Sequence, residues 1–122
     1  MTLPCVLVVD DDWALRSLVE VVLADEGYSV ITTDGRGAFA VAARVRPDVI
    51  LMDLIMPTSA GDEICRQLRA HPATAAIPIV AMSGTGNLAA TRLDQFNDQL
   101  SKPFPIHRLL EVVSRWARPR PD

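Results

Sequence analysis

The sequence predicts an α/β fold in which helices cover both faces of a doubly wound, five-stranded parallel sheet. Two observations support this prediction. Short apolar runs typical of buried strands alternate five times with segments whose apolar residues recur at helical spacing. Strands that are apolar throughout are expected where helices cover a parallel sheet from both sides. The connections between these strands should therefore be right-handed crossovers.

The predicted strands are short and mostly apolar. The first is closed by Asp10, the third stops at Asp53, and the fourth ends at Ser83. The fifth is only a remnant, which Lys102 and Pro103 follow directly. In chain order, the five predicted strands are residues 6–9, 28–33, 49–52, 79–82 and 100–101.

The predicted helices show an apolar face and stop at residues that break helices. Gly27 is placed to end the first helix and Pro47 to end the second. The fourth has the weakest apolar pattern. The predicted helices are residues 13–24, 38–45, a segment around 64–68, 88–96 and 105–117. The apolar face of the first consists of Leu15, Leu18, Val19 and Val22, and that of the last consists of Ile106, Leu109, Leu110, Val113 and Trp116.

Length and composition predict one domain. The chain has 122 residues, of which 49% are hydrophobic, and this is enough to bury a core. The net charge of −3 argues against a general nucleic-acid-binding surface. No apolar run is long enough to span a membrane. We expect the domain to occupy residues 1–118, with residues 119–122 as a tail or the start of a linker.

The first residues and the cysteines give no indication of export. The chain leads straight into a strand pattern, without the basic start and longer apolar stretch of a signal peptide. Cys5 and Cys65 lie in neither a Cys-x-x-Cys nor a zinc-binding spacing. We interpret both as small core hydrophobes. A cytoplasmic location is therefore expected.

Lysine occurs at a single position, Lys102, whereas the chain has eleven arginines. Where only a positive charge is needed, this sequence uses arginine. A lone lysine suggests a position that requires a compact ammonium on a slim stem, although chance is the alternative explanation.

Polar residues follow four of the predicted strands, at the edge of the sheet where ligands bind in parallel α/β folds. Asp10 and Asp11 follow the first strand, Asp53 the third, Ser83 the fourth and Lys102 the fifth. Crowded carboxylates repel one another and favour a hard cation such as Mg²⁺. A carboxylate beside Mg²⁺ can attack phosphorus, while a lysine and a hydroxyl hold the phosphoryl oxygens.

Four motifs together resemble the receiver domains of two-component response regulators. They are VVDD at residues 8–11, DLIMP at 53–57, MSG at 82–84 and KPF at 102–104. Each motif is weak alone, but they occur in order and with nearly the spacing of that family. The resemblance covers essentially the whole chain. It implies a (βα)5, flavodoxin-like fold with strand order 2-1-3-4-5.

The resemblance also implies a Mg²⁺-dependent phosphoacceptor site. Asp53 would take a phosphoryl group from a sensor histidine kinase or a phosphotransfer protein. Asp11, Asp53 and the backbone carbonyl of Ile55 would bind Mg²⁺ directly, and Asp10 would act largely through water. The chain would catalyse only its own phosphorylation and dephosphorylation. It would signal to a downstream protein by changing conformation, without direct contact with nucleic acid or membrane.

Three further residues have roles implied by the same resemblance. Ser83 would contact the phosphoryl group, and Lys102 would pair with it. Pro103 matches the family's cis-proline, which would aim the lysine into the site.

Simpler explanations exist for the acidic and hydroxyl residues. Residues 10–12 could cap the following helix, and Asp12 is the best candidate for the cap itself. Asp53 and Ser83 could be turn residues. Two other functions therefore remain open. One is a pseudo-receiver that binds partners without phosphorylation, and the other is a small phosphatase with an Asp nucleophile, of the haloacid-dehalogenase-like kind.

The chain departs from the family pattern near the fifth strand. Receivers commonly have an aromatic residue three positions before the lysine, where this sequence has Gln99. The stretch from Ser83 to Lys102 is also shorter than usual. We therefore predict that residues 84–99 form a marginal segment, which phosphorylation orders. A rigid, shortened helix is the alternative.

Overall fold

Five parallel strands form the centre of the fold. A computed structural model describes residues 3–54, 56, 61–84 and 95–117. Within these residues the strands are β1 (Cys5–Val9), β2 (Ser29–Thr33), β3 (Val49–Asp53), β4 (Ile79–Gly84) and β5 (Asp98–Lys102). Their order across the sheet is β2-β1-β3-β4-β5, and every neighbouring pair is parallel. The predicted fold class and strand order are confirmed.

Four α-helices accompany the strands in the described part of the chain. They are α1 (Trp13–Asp25), α2 (Ala38–Val45), α3 (Gly61–Ala70) and α4 (Ile106–Trp116), and a 3-10 turn (Gly35–Gly37) leads into α2. None of these helices is long and apolar enough to cross a membrane. The helix predicted over residues 88–96 falls almost wholly on residues 85–94, which lie outside the described residues.

Local hydrogen bonds explain where α1 begins and ends. The carboxylate of Asp12 accepts hydrogen bonds from the amides of Ala14 and Leu15, so Asp12 is the N-cap, as predicted. The helix ends ahead of Gly27, whose φ of +97° suits a glycine. The amide of Tyr28 still donates to the carbonyl of Leu23. As a result, β2 begins one residue later than the alternating pattern predicts.

The sheet separates two apolar cores because successive side chains of a strand point to opposite faces. Val6 and Val8 belong to the core beneath α1 and α4, whereas Leu7 and Val9 belong to the core beneath α2 and α3. Cys65 is fully buried in the second core, as predicted, while Cys5 is only half-buried.

Three predictions need correction. The predicted apolar faces of α1 and α4 include Leu18 and Ile106, but these side chains are 55% and 52% exposed. Leu18 lies at the margin of the buried face of α1, and Ile106 is the first residue of α4. β5 is longer than the predicted remnant. Asp98 and Gln99 also pair with β4, although their polar side chains gave no strand signal.

Candidate functional site

Strand register brings the predicted site residues to one edge of the sheet. Val9 of β1 pairs with Met52 of β3, so the next residues, Asp10 and Asp53, are neighbours. Farther along this edge, Ser83 ends the buried part of β4, and Lys102 is the last residue of β5. The carboxyl ends of four strands therefore supply the site, as the sequence predicted.

A lysine and two buried carboxylates form the centre of this site. The Lys102 Nζ lies 2.8 Å from Asp10 Oδ2 and 3.5 Å from Asp53 Oδ2. Asp10 is 1% exposed and Asp53 is 6% exposed. Two carboxylates with one ammonium leave the buried group one negative charge in excess, which favours the approach of a further cation. The peptide bond between Lys102 and Pro103 is cis, as the resemblance implies.

Every polar group of Asp10 has a hydrogen-bond partner. Its Oδ1 accepts from the amide of Asp12 at 2.9 Å, and Lys102 occupies its Oδ2. Its own amide donates to the carbonyl of Thr33 at 3.2 Å. The guanidinium of Arg16 donates to its carbonyl at 2.6 Å. Arg16 was not predicted as a site residue, although it is the fourth residue of α1 and follows Asp10 by six residues.

Asp11 contacts the turn that follows β2. Its Oδ1 accepts a hydrogen bond from the amide of Gly35 at 3.0 Å, which connects the site to the turn after β2. Among the described residues, no three His, Cys, Asp or Glu side chains lie close enough together to hold a metal ion as they stand. Ile55, the predicted carbonyl ligand, lies outside the described part of the chain.

Ser83 is buried at the end of β4, and its hydroxyl donates to the carbonyl of Gly84 at 2.9 Å. Ser83 pairs with Ser101 of β5, so it is a strand residue in this conformation, with a local hydroxyl contact to the next carbonyl. A hydroxyl can rotate toward another acceptor. A contact between Ser83 and a phosphoryl group remains a prediction.

Gly61, the first residue of α3, packs against the end of β3. A Cβ at this position would lie 2.2 Å from the carbonyl oxygen of Asp53 and 2.8 Å from the Cα of Leu54. Because both neighbours are backbone atoms, no side-chain rotation could relieve the clash. The separation of Gly61 from Asp53 along the sequence gave no indication of this contact.

Comparison with known proteins identifies the family. The family model for the response regulator receiver domain matches residues 6–114. The chain belongs to this receiver family. The resemblance carried by the four sequence motifs is thus confirmed, and the chain is a receiver domain of a two-component response regulator. Neither the phosphatase nor the pseudo-receiver is favoured.

Two relatives of this receiver domain are named as regulators. The DNA-binding dual master transcriptional regulator RpaA of Synechocystis is 34% identical over 121 residues, which cover 95% of this chain and 50% of RpaA. The response regulator MprA of Mycobacterium leprae is 36% identical over 120 residues, which cover 96% of this chain and 53% of MprA. The chain spans about half the length of the curated relatives it matches.

Solved structures of receivers superpose closely on this one. The chemotaxis protein CheY4 of Vibrio cholerae has a TM-score of 0.85 at 32% identity, covering 94% of this chain and 99% of that chain. The receiver domain of the sensor histidine kinase PA1611 from Pseudomonas aeruginosa has a TM-score of 0.85 at 31% identity, covering 95% and 98%. The PA1611 structure has a magnesium ion coordinated in its active site cleft.

Proposed function

We propose that this receiver domain accepts a phosphoryl group on Asp53 in a Mg²⁺-dependent reaction. One observation supports the proposal above all others. The buried carboxylates of Asp53 and Asp10 share the ammonium of Lys102, the only lysine of the chain. An ion pair needed only for stability would not require two carboxylates around one cation at a ligand-binding edge.

The carboxylate of Asp53 would act as the nucleophile. One of its oxygens forms a bond to phosphorus, and the bond from phosphorus to the donor's leaving group breaks. That leaving group is the imidazole nitrogen of a kinase or phosphotransfer phosphohistidine, or the carboxylate of a small acyl phosphate. The donor keeps the electron pair of the broken bond. Lys102, whose Nζ lies 3.5 Å from Asp53 Oδ2, would hold an oxygen of the arriving group.

The acidic residues fit a magnesium ion by the chemistry of their donors. Asp10, Asp11 and Asp53 offer the hard oxygen ligands that Mg²⁺ prefers, with the Ile55 carbonyl as a fourth candidate. When bound, Mg²⁺ would neutralise the negative charge that accumulates on the phosphoryl oxygens. For Asp11 to take part, its carboxylate would turn away from the amide of Gly35.

The remaining parts of the proposal concern the wider function. We assign residues 1–118 to the domain and residues 119–122 to a tail or linker. The domain would catalyse only its own phosphorylation and dephosphorylation, in the cytoplasm. Its partners would be a sensor histidine kinase or a phosphotransfer protein, and a downstream protein. RpaA is named as DNA-binding. For this chain itself we propose no direct contact with nucleic acid, because its net charge is −3.

Intact mass spectrometry tests the proposal. Incubation with a small acyl phosphate and Mg²⁺ is expected to add one phosphoryl group to the wild-type chain and none to Asp53→Asn. Asp25→Asn, which changes an exposed carboxylate at the end of α1, serves as the matched control and should be labelled like the wild type. Equal labelling of Asp53→Asn would overturn the assignment of the phosphoacceptor.

A further inference from the structure

Lys102 lies on a strand whose own side chains specify its position poorly. β5 is an edge strand of the described sheet, and only Leu100 among its five residues is buried. Strand register is normally set by a face of several buried apolar residues, and a slip of one residue turns every side chain to the opposite face. Contacts outside the strand must therefore help to hold β5 in place.

Arg69, in the last turn of α3, contacts the chain just before β5. Its Nε and one terminal nitrogen donate to the carbonyl of Gln95 at 3.3 and 3.1 Å. The other terminal nitrogen donates to the carbonyls of Ala75 and Ile77 at 2.9 and 2.7 Å. A fifth hydrogen bond, of 2.8 Å, reaches Asn97 Oδ1. The guanidinium thus ties the start of β5 to the loop that leads into β4.

The acceptors of Arg69 are all neutral oxygens. Desolvation by burial lowers the pKa of Arg69, and the nearby Cys65 opposes this shift. A partly buried cation with neutral acceptors depends on having many of them in fixed positions, which the planar fork of a guanidinium can satisfy. A lysine at this position could not reach the same set of acceptors.

Asn97 completes the connection to β4. Its backbone N–H donates to the carbonyl of Ile79 at 2.8 Å, and its side-chain Oδ1 accepts from the backbone N–H of Ile79 at 2.9 Å. Asn97 is exposed, so its effect comes from this two-point pairing and not from burial. The pairing fixes which residue of β5 stands beside β4, because the next pair along is Val80 with Asp98.

We infer that Arg69 and Asn97 are positioning residues of the phosphoacceptor site, because they fix the register of β5 and thereby place Lys102. A slip of one residue would move the backbone of Lys102 by about 3.3 Å and turn its side chain to the other face. The contact of 2.8 Å with Asp10 would then be lost. The role given to Lys102 in phosphoryl transfer rests on the proposed function.

The position of the lysine can be measured without any phosphodonor. Because Lys102 is the only lysine, ¹⁵N-lysine labelling of the whole chain gives a single Nζ resonance. In Arg69→Met and Asn97→Ala, we expect this resonance to shift toward that of a solvated lysine. The cross-strand contacts between residues 79–84 and 98–102 should change as well. Arg66→Met, at an exposed arginine of the same helix, should match the wild type.

Kinetics distinguishes positioning from a general loss of structure. Misplacing a reacting group by about 1 Å can cost a hundredfold in rate, so we expect phosphoryl transfer at saturating Mg²⁺ to fall about tenfold or more. The Kd for Mg²⁺ should not rise, because its proposed ligands lie off β5 and removing an ammonium relieves repulsion. Asn97→Asp keeps an oxygen acceptor and should behave like the wild type.

Several outcomes would overturn the inference. In Arg69→Met and Asn97→Ala, these would be an unchanged Lys102 resonance, an unchanged transfer rate, or a Kd for Mg²⁺ that rises as the rate falls. A defect in Asn97→Asp as large as that in Asn97→Ala would also overturn it. If Arg69→Met does not fold, Asn97→Ala carries the test, since it leaves the three carbonyl acceptors of Arg69 in place. A wild-type chain that is never phosphorylated would refute the proposed function, while the Lys102 resonance would still test the positioning.

Discussion

The three adjacent acidic residues at the end of β1 make different contacts. Asp12 caps α1, Asp11 holds the turn after β2, and Asp10 is paired with Lys102. Three adjacent carboxylates therefore face three different environments. This division explains how the chain tolerates the cluster, because the three carboxylates accept hydrogen bonds from different donors, while Asp10 and Asp53 share the ammonium of Lys102.

Replacing the lysine by arginine tests whether a compact ammonium is needed. Lys102 reaches between two nearly buried carboxylates, and a wider guanidinium would crowd that space. We expect Lys102→Arg to slow phosphorylation by about tenfold or more. The measurement is the rate of mass increase with a small acyl phosphate. Arg44→Lys, a change at an exposed position of α2, is the control, and an unimpaired Lys102→Arg would make the lone lysine a coincidence.

Adding one methyl group at Gly61 is expected to disturb the end of β3. The new Cβ would meet the carbonyl of Asp53 at 2.2 Å, so the backbone around Asp53 would have to move. We expect a loss of about 1 to 3 kcal/mol in the free energy of unfolding, together with slower phosphorylation. Urea denaturation measures the first effect. Gly84→Ala is the control, since its Cβ would meet nothing within 4 Å, and equal stabilities of the two variants would contradict the prediction.

How far sequence predicted these residues depends on what places them. Asp53, Ser83 and Lys102 were predictable because parallel strands end at a common edge, so the last residue of a strand has a known location. The contacts of Arg16, Gly35 and Gly61 depend on helix and turn geometry, which residue spacing does not encode. The hydrogen bond from the Gly35 amide to Asp11 could not be predicted from the sequence either, because a bound cation could also have satisfied this carboxylate.

At the scale of elements, β5 is held by α4 as well as by α3. The carboxylate of Asp98 accepts from the guanidinium of Arg115 at 2.6 Å and from the indole of Trp116 at 2.9 Å. These bonds explain why a strand that begins Asp-Gln pairs with β4 over its whole length. Such contacts come from residues far apart in sequence, which is why the predicted strand was too short.

Protonation of Asp98 should weaken this connection between α4 and β5. Burial raises its pKa, but hydrogen bonds from Trp116, the Gln99 amide and Arg115 outweigh burial and hold the pKa below the ordinary 3.8. A depressed pKa in the folded state stabilises the fold above the unfolded pKa and ceases to do so as pH falls through the folded value.

Asp98→Asn is therefore expected to be less stable than the wild type at pH 7, by about 0.5 to 1.5 kcal/mol. The difference in unfolding free energy should shrink as pH falls below 3.8, and it should vanish once pH has fallen through the lower pKa of the folded state. Urea denaturation across this pH range, with the exposed Asp25→Asn as control, provides the measurement. A difference that persists in acid would show that the loss has a cause other than charge.

For the molecule as a whole, alternation of strands and helices was sufficient to predict a parallel sheet covered by helices on both faces. The crossover rule left few arrangements of five strands, and the order 2-1-3-4-5 came from the resemblance to receiver domains. The weakly patterned segment over residues 88–96 could not be predicted in the same way, because it has few apolar residues at helical spacing. The prediction that phosphorylation orders residues 84–99 remains a prediction, since most of them lie outside the described residues.

Binding of Mg²⁺ is expected to stabilise the entire fold. A ligand that binds only the folded state adds about 1.4 kcal/mol for each tenfold excess over its Kd. Thermal unfolding with increasing Mg²⁺ should therefore show a rising Tm in the wild type. Asp11→Asn keeps an acceptor for the Gly35 amide but loses a charge, and its response should be much smaller. Asp34→Asn, a nearby carboxylate outside the site, is the control, and equal responses in all three proteins would exclude Asp11 as a ligand.

The positions of Asp10, Asp53 and Lys102 along the chain also determine when the site can form during synthesis. Asp10 follows the first strand, Asp53 ends the third and Lys102 ends the fifth, so the two acids leave the ribosome well before the lysine does. A nascent chain with four strands holds both carboxylates but lacks the cation between them. Under the proposed function, signalling competence would then arrive only with the final strand, and unfinished receivers would not compete for the kinase's phosphoryl groups.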